Sequence, residues 1–202
     1  MTEGTSLINK GNGKACITLV ETCEYLEKTI NTEYCYDREN KNLLMSVTDD
    51  GEIVKYVYGN GLISSYTEAE KEVSYREGEY GKKFYTYDLR GSVTFITDEE
   101  GSVECEYSYS AYGTRTVVNG YESVLGYCAR DGVLTENGGL CYMRARYYSP
   151  ELQRFVNQDI VVGDISNSNS LNRYTYVEGN PATMVDPFGL DAQKPNTNGN
   201  SL

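Results

Sequence analysis

The 202-residue chain contains no histidine, and this absence limits the chemistry that its side chains can perform. Serine or cysteine nucleophiles activated by histidine are excluded, and so are metal centres with histidine ligands. Peptide hydrolysis would then rest on two carboxyl groups, one ionised to activate water and one protonated. The last third of the chain contains several carboxylates, among them Asp159 and Asp186, and several arginines, among them Arg146 and Arg154. Spacing alone does not distinguish these aspartates from turn and cap residues of an ordinary β protein.

The cysteine pattern and the charge narrow the classes of partner. The six cysteines are scattered without a C-x-x-C pair, so we predict buried free thiols and no metal or other cofactor. The even number of cysteines leaves disulfides open in an oxidising compartment. The net charge of −12 argues against nucleic acid as a partner, because affinity for phosphate backbones comes from clustered Lys and Arg.

The N-terminus lacks the basic and apolar regions of a signal peptide, and no apolar run is long enough to span a membrane. The sequence therefore leaves the localisation of the chain unknown.

Two segments with the same pattern, residues 34–58 and 85–109, supply the framework. Each has a Tyr-Asp pair, at Asp37 and Asp88, before a first turn, and a second turn with two acidic residues and a glycine. The last strand of the second copy alternates strictly between two faces. One face carries Val103, Cys105, Tyr107 and Tyr109, and the other carries Ser102, Glu104, Glu106 and Ser108. The pattern predicts antiparallel hairpins whose open edges need neighbouring strands.

The segments around these copies are less regular. Residues 1–33 lack the repeat pattern, contain Gly-Asn-Gly at residues 11–13, and predict irregular strands. The polar residues 67–72 fit a solvated loop or a short helix. Residues 191–202 are rich in Asn, Gly, Ser, Lys and Pro, a composition that predicts disorder.

Residues 113–190 alternate turns and strands and then end in proline-containing turns. We predict a strand over residues 140–147, with Tyr142, Arg144 and Arg146 on one face. Asn180 followed by Pro181 predicts a single helical turn over residues 182–185. Pro187 would end that turn, which leaves Asp186 in a tight bend.

Five motifs in order are specific as a set: Tyr-Asp-x-x-Gly, Arg-x-Arg-Tyr-Tyr, Arg-Phe-x-x-x-Asp, Asn-Pro and Asp-Pro-x-Gly-Leu. They span roughly residues 34–190 and resemble the Rhs (YD-repeat) proteins, in particular the Rhs repeat-associated core that ends in the last motif. The resemblance implies an all-β fold of antiparallel YD-repeat strands from an Rhs shell, with short helical turns near the C-terminus. It divides the chain into poorly defined strands (1–33), YD-type repeats (34–112), the core (113–190) and a disordered tail (191–202).

The resemblance also implies a self-cleaving aspartyl peptidase. Asp159 and Asp186 match the two motif aspartates, and Arg146 or Arg154 matches their basic partner. We expect Asp159 to act as the base and Asp186 as the acid that shares its proton. Cleavage would follow Leu190, at its bond to Asp191. The chain departs from the family pattern at Gln153, where glycine is usual, and at Ile160, where proline is usual.

Three functions remain open on the sequence. The chain is a truncated or orphan Rhs core, a shell or plug element related to polymorphic toxin delivery and capable of one self-cleavage. Alternatively, it is a non-catalytic β module whose tyrosines bind carbohydrate or a partner protein, or a gene fragment without independent function. The expected partners are further YD-repeat segments or another Rhs chain, and we expect no effector domain within this chain. Full-length relatives are expected to be secreted or located at the cell surface.

Overall fold

The computed structural model of the chain describes residues 6–8, 16–23, 28–39, 42–68, 81–136, 138–160 and 171–195, with side chains from residue 31 onward. These ranges are almost entirely antiparallel β-sheet, with 3₁₀ turns at Ala129–Asp131 and Val177–Gly179. The predicted all-β fold is therefore confirmed, and Val177–Gly179 is a short helical turn near the C-terminus. The helical turn predicted over residues 182–185 is wrong at its end, because Val185 forms a β-bridge with Gln193. No helix within these ranges is long and apolar enough to cross a bilayer. The chain divides into two compact units, Met1–Phe84 with Asp98–Gly101 and Tyr85–Thr97 with Ser102–Leu202.

The first unit is a meander in which each strand pairs antiparallel with the next strand along the chain. Its strands are β1 (Ser6–Ile8), β2 (Cys16–Cys23), β3 (Lys28–Tyr36), β4 (Leu43–Thr48), β5 (Ile53–Gly59), β6 (Gly61–Glu68) and the first half of β7 (Lys82–Tyr87). Residues 1–33, for which the sequence predicts irregular strands, thus contribute β1, β2 and most of β3. Of residues 67–72, for which the sequence predicts a loop or a short helix, residues 67 and 68 instead end β6. Residues 69–72 and the Gly-Asn-Gly segment lie outside the described residues.

The second unit begins within β7 and contains two runs of antiparallel strands. The first run is β8 (Val93–Thr97), β9 (Val103–Tyr109) and β10 (Arg115–Asn119). The second run is a four-stranded sheet in the order β11 (Leu134–Thr135), β12 (Cys141–Met143), β13 (Arg146–Ser149) and β14 (Arg154–Phe155). This small sheet carries all the candidate catalytic arginines.

Both repeat copies show the predicted succession of strand, turn, strand, turn and strand. On β9 the predicted alternation is confirmed in the middle of the strand, where Cys105 and Tyr107 are buried and Ser108 is exposed. Val103, which the sequence places on the same face as Cys105, is exposed at the start of the strand. The domain boundaries at residues 33, 112 and 190 stay predictions. The sequence predicts disorder from residue 191, but the backbone of Gln193 exchanges two hydrogen bonds of 2.8 Å with Val185. Residues 196–202 lie outside the described part of the chain.

The Tyr-Asp motif of the second copy has a clear physical role. The Asp88 carboxylate accepts hydrogen bonds from the backbone N–H groups of Arg90 at 2.9 Å and Ser92 at 2.8 Å. The Arg90 guanidinium pairs with the same carboxylate at 3.0 Å and donates to the carbonyls of Ser110 and Ala111. The aspartate therefore closes its own turn and, through Arg90, ties that turn to the loop after β9.

Replacing Asp88 with alanine should lower the free energy of unfolding of the second unit by about 2 kcal/mol. Hydrogen bonds to a charged group are worth about 1.5–3 kcal/mol each, and water recovers part of this at a partly exposed turn. Urea denaturation measures the loss. Glu151 is an exposed carboxylate of the same unit, so Glu151→Ala should stay within about 0.5 kcal/mol of the parent. Equal losses in the two variants would contradict the role assigned to Asp88.

The core of the second unit is a cluster of aromatic and small apolar side chains. It consists of Tyr127, Cys128, Val133, Cys141, Met143, Tyr148, Phe155, Tyr176, Val177 and Val185. The Tyr148 and Tyr176 rings stack with their centroids 4.1 Å apart. The Tyr148 hydroxyl donates a hydrogen bond to the Tyr112 carbonyl, and the Tyr176 hydroxyl donates one to the Tyr127 hydroxyl. These tyrosines are core residues and are not available as a platform for carbohydrate.

The described cysteine side chains agree with the prediction of free thiols. Cys105, Cys128 and Cys141 form no disulfide, and all three are buried. Burial raises the pKa of Cys128 and Cys141, so both remain protonated and serve as small apolar core residues. The side chains of Cys16 and Cys23 are not among those described.

Candidate active site

A tight turn between β12 and β13 sets the position of Arg146. The sequence predicts one strand over residues 140–147, and this is wrong: the chain reverses at Arg144 and Ala145, and Met143 pairs with Arg146. Arg144 has a φ of 58°, a left-handed conformation that non-glycine residues seldom adopt. Its guanidinium donates to the carbonyls of Asp131 and Gly132 and holds the turn in place. Arg144 and Arg146 therefore do not share a strand face, and Arg146 alone points into the site.

The Arg146 guanidinium lies in the interior, with its central carbon 3.5 Å from the centroid of the Phe155 ring. Only 5% of its side chain is exposed. Its Nε donates to the Gly189 carbonyl at 2.6 Å, and its Nη1 donates to the Arg173 carbonyl at 3.2 Å. Burial lowers its pKa, whereas the two neighbouring aspartates, Asp159 and Asp186, oppose the shift. Because arginine starts from so high a pKa, the group remains a cation at neutral pH.

The two motif aspartates meet on this guanidinium. Oδ2 of Asp159 lies 2.7 Å from Nη1 of Arg146, and Oδ2 of Asp186 lies 3.2 Å from Nη2. The two carboxylates differ in their access to water, since 14% of the Asp159 side chain is exposed but only 3% of the Asp186 side chain. The structure therefore brings together one carboxylate that water can reach and one that it cannot.

The Asp186 carboxyl also contacts the residue just before the expected cleavage bond. Its Oδ1 accepts a hydrogen bond of 3.0 Å from the backbone N–H of Leu190. Burial raises the pKa of Asp186 to about 6, although that hydrogen bond and the Arg146 charge both act to lower it. A large fraction of Asp186 is thus protonated in weakly acidic solution, as an acid catalyst requires.

The turn that carries Leu190 fits closely against the hairpin turn. The Phe188 carbonyl accepts a hydrogen bond from the Ala145 N–H at 3.2 Å. Gly189 has a φ of 67°, and a Cβ atom at this position would lie 2.6 Å from the Met143 carbonyl oxygen. Only glycine fits here, because any side chain would collide with backbone. The glycine of the Asp-Pro-x-Gly-Leu motif therefore lets the turn that carries Leu190 rest on the β12–β13 hairpin.

The remaining sequence candidates lie farther from this centre. Arg154, the alternative basic partner, is exposed and sits over the Tyr174 ring at 5.4 Å. Gln153 has a φ of 58°, so the turn before β14 keeps a left-handed residue where glycine is usual in the family. Ile160 is exposed, and Asp191 follows Leu190 on the surface of the same turn. Among the described residues, no cluster of three or more acidic or cysteine side chains could hold a metal ion.

Sequence reasoning missed Arg173. Its carbonyl accepts hydrogen bonds from the Asp159 N–H and from Arg146 Nη1, and its guanidinium donates to the Asp159 carbonyl. Most of these contacts involve backbone atoms, which every residue type possesses. No residue pattern could have signalled them.

Comparison with known proteins gives relatives of much greater length. No protein-family model matches the chain. The tRNA3(Ser)-specific nuclease WapA of Bacillus spizizenii is 33% identical over 194 residues, which cover 92% of this chain and 8% of WapA. The chain thus spans a small part of the curated relatives that it matches.

Solved structures of toxin complexes contain the same fold. A structure of TcdB2–TccC3 without the hypervariable C-terminal region matches 93% of this chain and 10% of its own, with a TM-score of 0.59 and 21% identity. A Photorhabdus luminescens Tc holotoxin pore with a TccC3 variant matches 96% of this chain and 9% of its own, with a TM-score of 0.63 and 21% identity. The chain therefore has an Rhs-like all-β fold, shared with these TccC3-containing structures, and is similar over most of its length to a short segment of WapA.

Proposed function

We propose that the chain is a toxin-associated Rhs element that cleaves its own backbone once, between Leu190 and Asp191. The observation that supports this proposal is the single buried guanidinium of Arg146, which bridges Asp159 and Asp186 beside the turn that contains the bond. One similar protein is a tRNA-specific nuclease and one similar structure is a Tc holotoxin pore, which favours a role next to an effector. Further YD-repeat shell segments are the natural partners of such an element. Cleavage would release whatever chain follows Leu190.

In the proposed reaction, Asp159 is the base and Asp186 is the acid. Asp159 takes a proton from a water molecule, whose oxygen bonds to the carbonyl carbon of Leu190. The Leu190–Asp191 C–N bond then breaks, and Asp186 gives its proton to the departing Asp191 nitrogen. Proton transfer from Asp159 to Asp186 restores the pair. The products are a carboxyl group on Leu190 and an amino group on Asp191.

Arg146 holds the two carboxyl groups together, and their unequal burial separates their states. Two carboxyl groups that share one cation cannot both ionise cheaply when one of them is buried. The more exposed Asp159 takes the charged role beside Nη1, and the enclosed Asp186 retains a proton for part of the time. The same guanidinium binds the Gly189 carbonyl, so it also fixes the cleavage turn relative to both acids.

Intact-mass measurement of the purified chain tests the proposal without any added substrate. Self-cleavage yields a species that ends at Leu190, together with a fragment that begins at Asp191. A chain that keeps its full mass through prolonged incubation in weakly acidic buffer would count against catalysis. The fold assignment would be unaffected by that result.

The rate of cleavage should depend on pH through Asp186. Burial places the pKa of Asp186 at about 6, and the acid must be protonated to act. The protonated fraction is large below this pKa and falls about tenfold for each pH unit above it. We therefore expect the first-order rate constant to decline above about pH 6, as followed by mass spectrometry after rapid purification. A rate that rises from pH 6 to pH 8 would contradict the assignment of Asp186 as the acid.

A further inference from the structure

We propose that Arg173 is a positioning residue for Asp159. This role rests on the self-cleavage proposed above, because Asp159 is the base of that reaction. Arg173 touches Asp159 and Arg146 and has no described contact with Asp186 or Leu190. It would thus act through its neighbours and not on the reacting bond.

Arg173 holds Asp159 at both ends of its backbone. The Asp159 N–H donates to the Arg173 carbonyl at 2.9 Å. In the opposite direction, Nη2 of Arg173 donates to the Asp159 carbonyl oxygen. The first bond requires only backbone atoms, whereas the second requires the arginine side chain. Together they fix the backbone from which the Asp159 carboxylate projects.

The same carbonyl also sets the distance between Asp159 and Arg146. Nη1 of Arg146 donates to the Arg173 carbonyl at 3.2 Å and pairs with Oδ2 of Asp159 at 2.7 Å. One oxygen atom therefore binds both the backbone of the base and the guanidinium that pairs with its carboxylate. A shift of residue 173 would move both groups.

The segment that bears Arg173 is itself well anchored. The Phe155 N–H donates to the Tyr174 carbonyl at 2.9 Å, and Thr175 forms a β-bridge with Arg154. Tyr176 then enters the aromatic core, where it is fully buried. Arg173 thus transmits the rigidity of β14 and of the core to Asp159, which is followed in sequence by the exposed Ile160.

Removing the donors of Arg173 should slow cleavage while leaving the fold intact. Arg173→Met keeps most of the aliphatic stem and both backbone contacts but cannot donate to the Asp159 carbonyl. A displacement of about 1 Å of a catalytic group costs about 100-fold in rate, so we expect cleavage to be about 10- to 100-fold slower. Arg173→Lys retains one donor and should recover to within about tenfold of the parent.

Arg154→Met is the matched control. Arg154 lies on β14, which forms the β-bridge with Thr175 near Arg173. Its side chain is exposed and lies over the Tyr174 ring. The three variants and the parent are compared by intact mass at equal times after purification, with thermal unfolding to verify the fold. Slow Arg173→Met with rescue by Arg173→Lys supports the proposal. The proposal would be overturned if Arg173→Met cleaves at the same rate as Arg154→Met. It would also be overturned if Arg173→Met and Arg173→Lys are slowed equally.

A second measurement separates this proposal from self-cleavage itself. In an Asp186→Asn background, all chains have the same covalent state, and NMR can follow the side-chain N–H signals of Arg146. In Arg173→Met these N–H groups should exchange with solvent at least about tenfold faster than in Arg154→Met. If exchange is faster in Arg173→Met but the parent chain never cleaves, the positioning role is preserved and the proposed function is refuted. Unchanged exchange would overturn the positioning role whether or not the parent cleaves.

Discussion

Replacement of Arg146 with methionine is expected to abolish self-cleavage and to destabilise the second unit by about 3–5 kcal/mol at neutral pH. Methionine keeps an aliphatic chain against Phe155 but leaves Asp159 and Asp186 without their common cation. It also leaves the Gly189 and Arg173 carbonyls without the donors that now satisfy them. Breaking a buried ion pair from one side costs more than the pair contributes, because the remaining charge is still enclosed.

The loss of stability in Arg146→Met should be smaller in acid. The folded-state pKa of Asp186 already lies above its ordinary value, so its ionisation opposes folding and its protonation favours the folded state. The positive charge of Arg146 lowers this pKa, so its loss raises the pKa of Asp186 further. The loss of unfolding free energy in the variant therefore grows as the pH rises through the pKa of Asp186. Urea denaturation at about pH 5 and about pH 7 measures the difference. A loss that is equal at both pH values, or equal to that of Arg154→Met, would contradict this account.

Asp186→Asn should slow cleavage by at least about 1,000-fold with little change in stability. Asparagine has nearly the same shape and can still accept the hydrogen bond from the Leu190 N–H, but it cannot carry a transferable proton. Since the carboxyl is buried and its pKa is raised, a neutral amide removes part of the cost of enclosing a charge. We expect the free energy of unfolding to stay within about 1 kcal/mol of the parent.

Asp131→Asn is the matched control for Asp186→Asn. Asp131 is a largely buried aspartate of the same unit, and its carboxylate pairs with Arg130 at 3.5 Å. The substitution keeps the Asp131 carbonyl, which accepts a hydrogen bond from Arg144. The Asp131 variant should cleave at the parent rate. Comparable slowing in the two variants would indicate a general effect of removing buried carboxylates and would contradict a specific role for Asp186.

Much of the framework could be predicted because it is carried by local patterns. The Tyr-Asp and acidic-Gly turns have residue types with a direct conformational role, as the hydrogen bonds of Asp88 show. The alternation on β9 predicts its buried face because side chains in a strand alternate between two sides. The beginning of the tail was less predictable, since Gln193 is held by backbone pairing with Val185, which composition does not reveal.

The position of Arg146 between Asp159 and Asp186, with Arg154 outside this cluster, could not be predicted from the sequence. The turn that aims Arg146 inward has Arg144 and Ala145 at its centre, with no Gly, Asn or Pro to indicate a reversal. The strand that the sequence predicts over residues 140–147 would put Arg144 and Arg146 on one face. The contact of Asp159 with Asp186 through one guanidinium joins distant parts of the sequence, and spacing carries no information about it.

The most direct test of self-cleavage is the intact mass of the freshly purified chain beside its Asp186→Asn variant, both incubated in weakly acidic buffer. We expect the parent to accumulate a species that ends at Leu190 and a fragment that starts at Asp191, while the variant keeps its full mass. Two uncleaved chains, or two chains cut at the same bond at the same rate, would contradict this expectation.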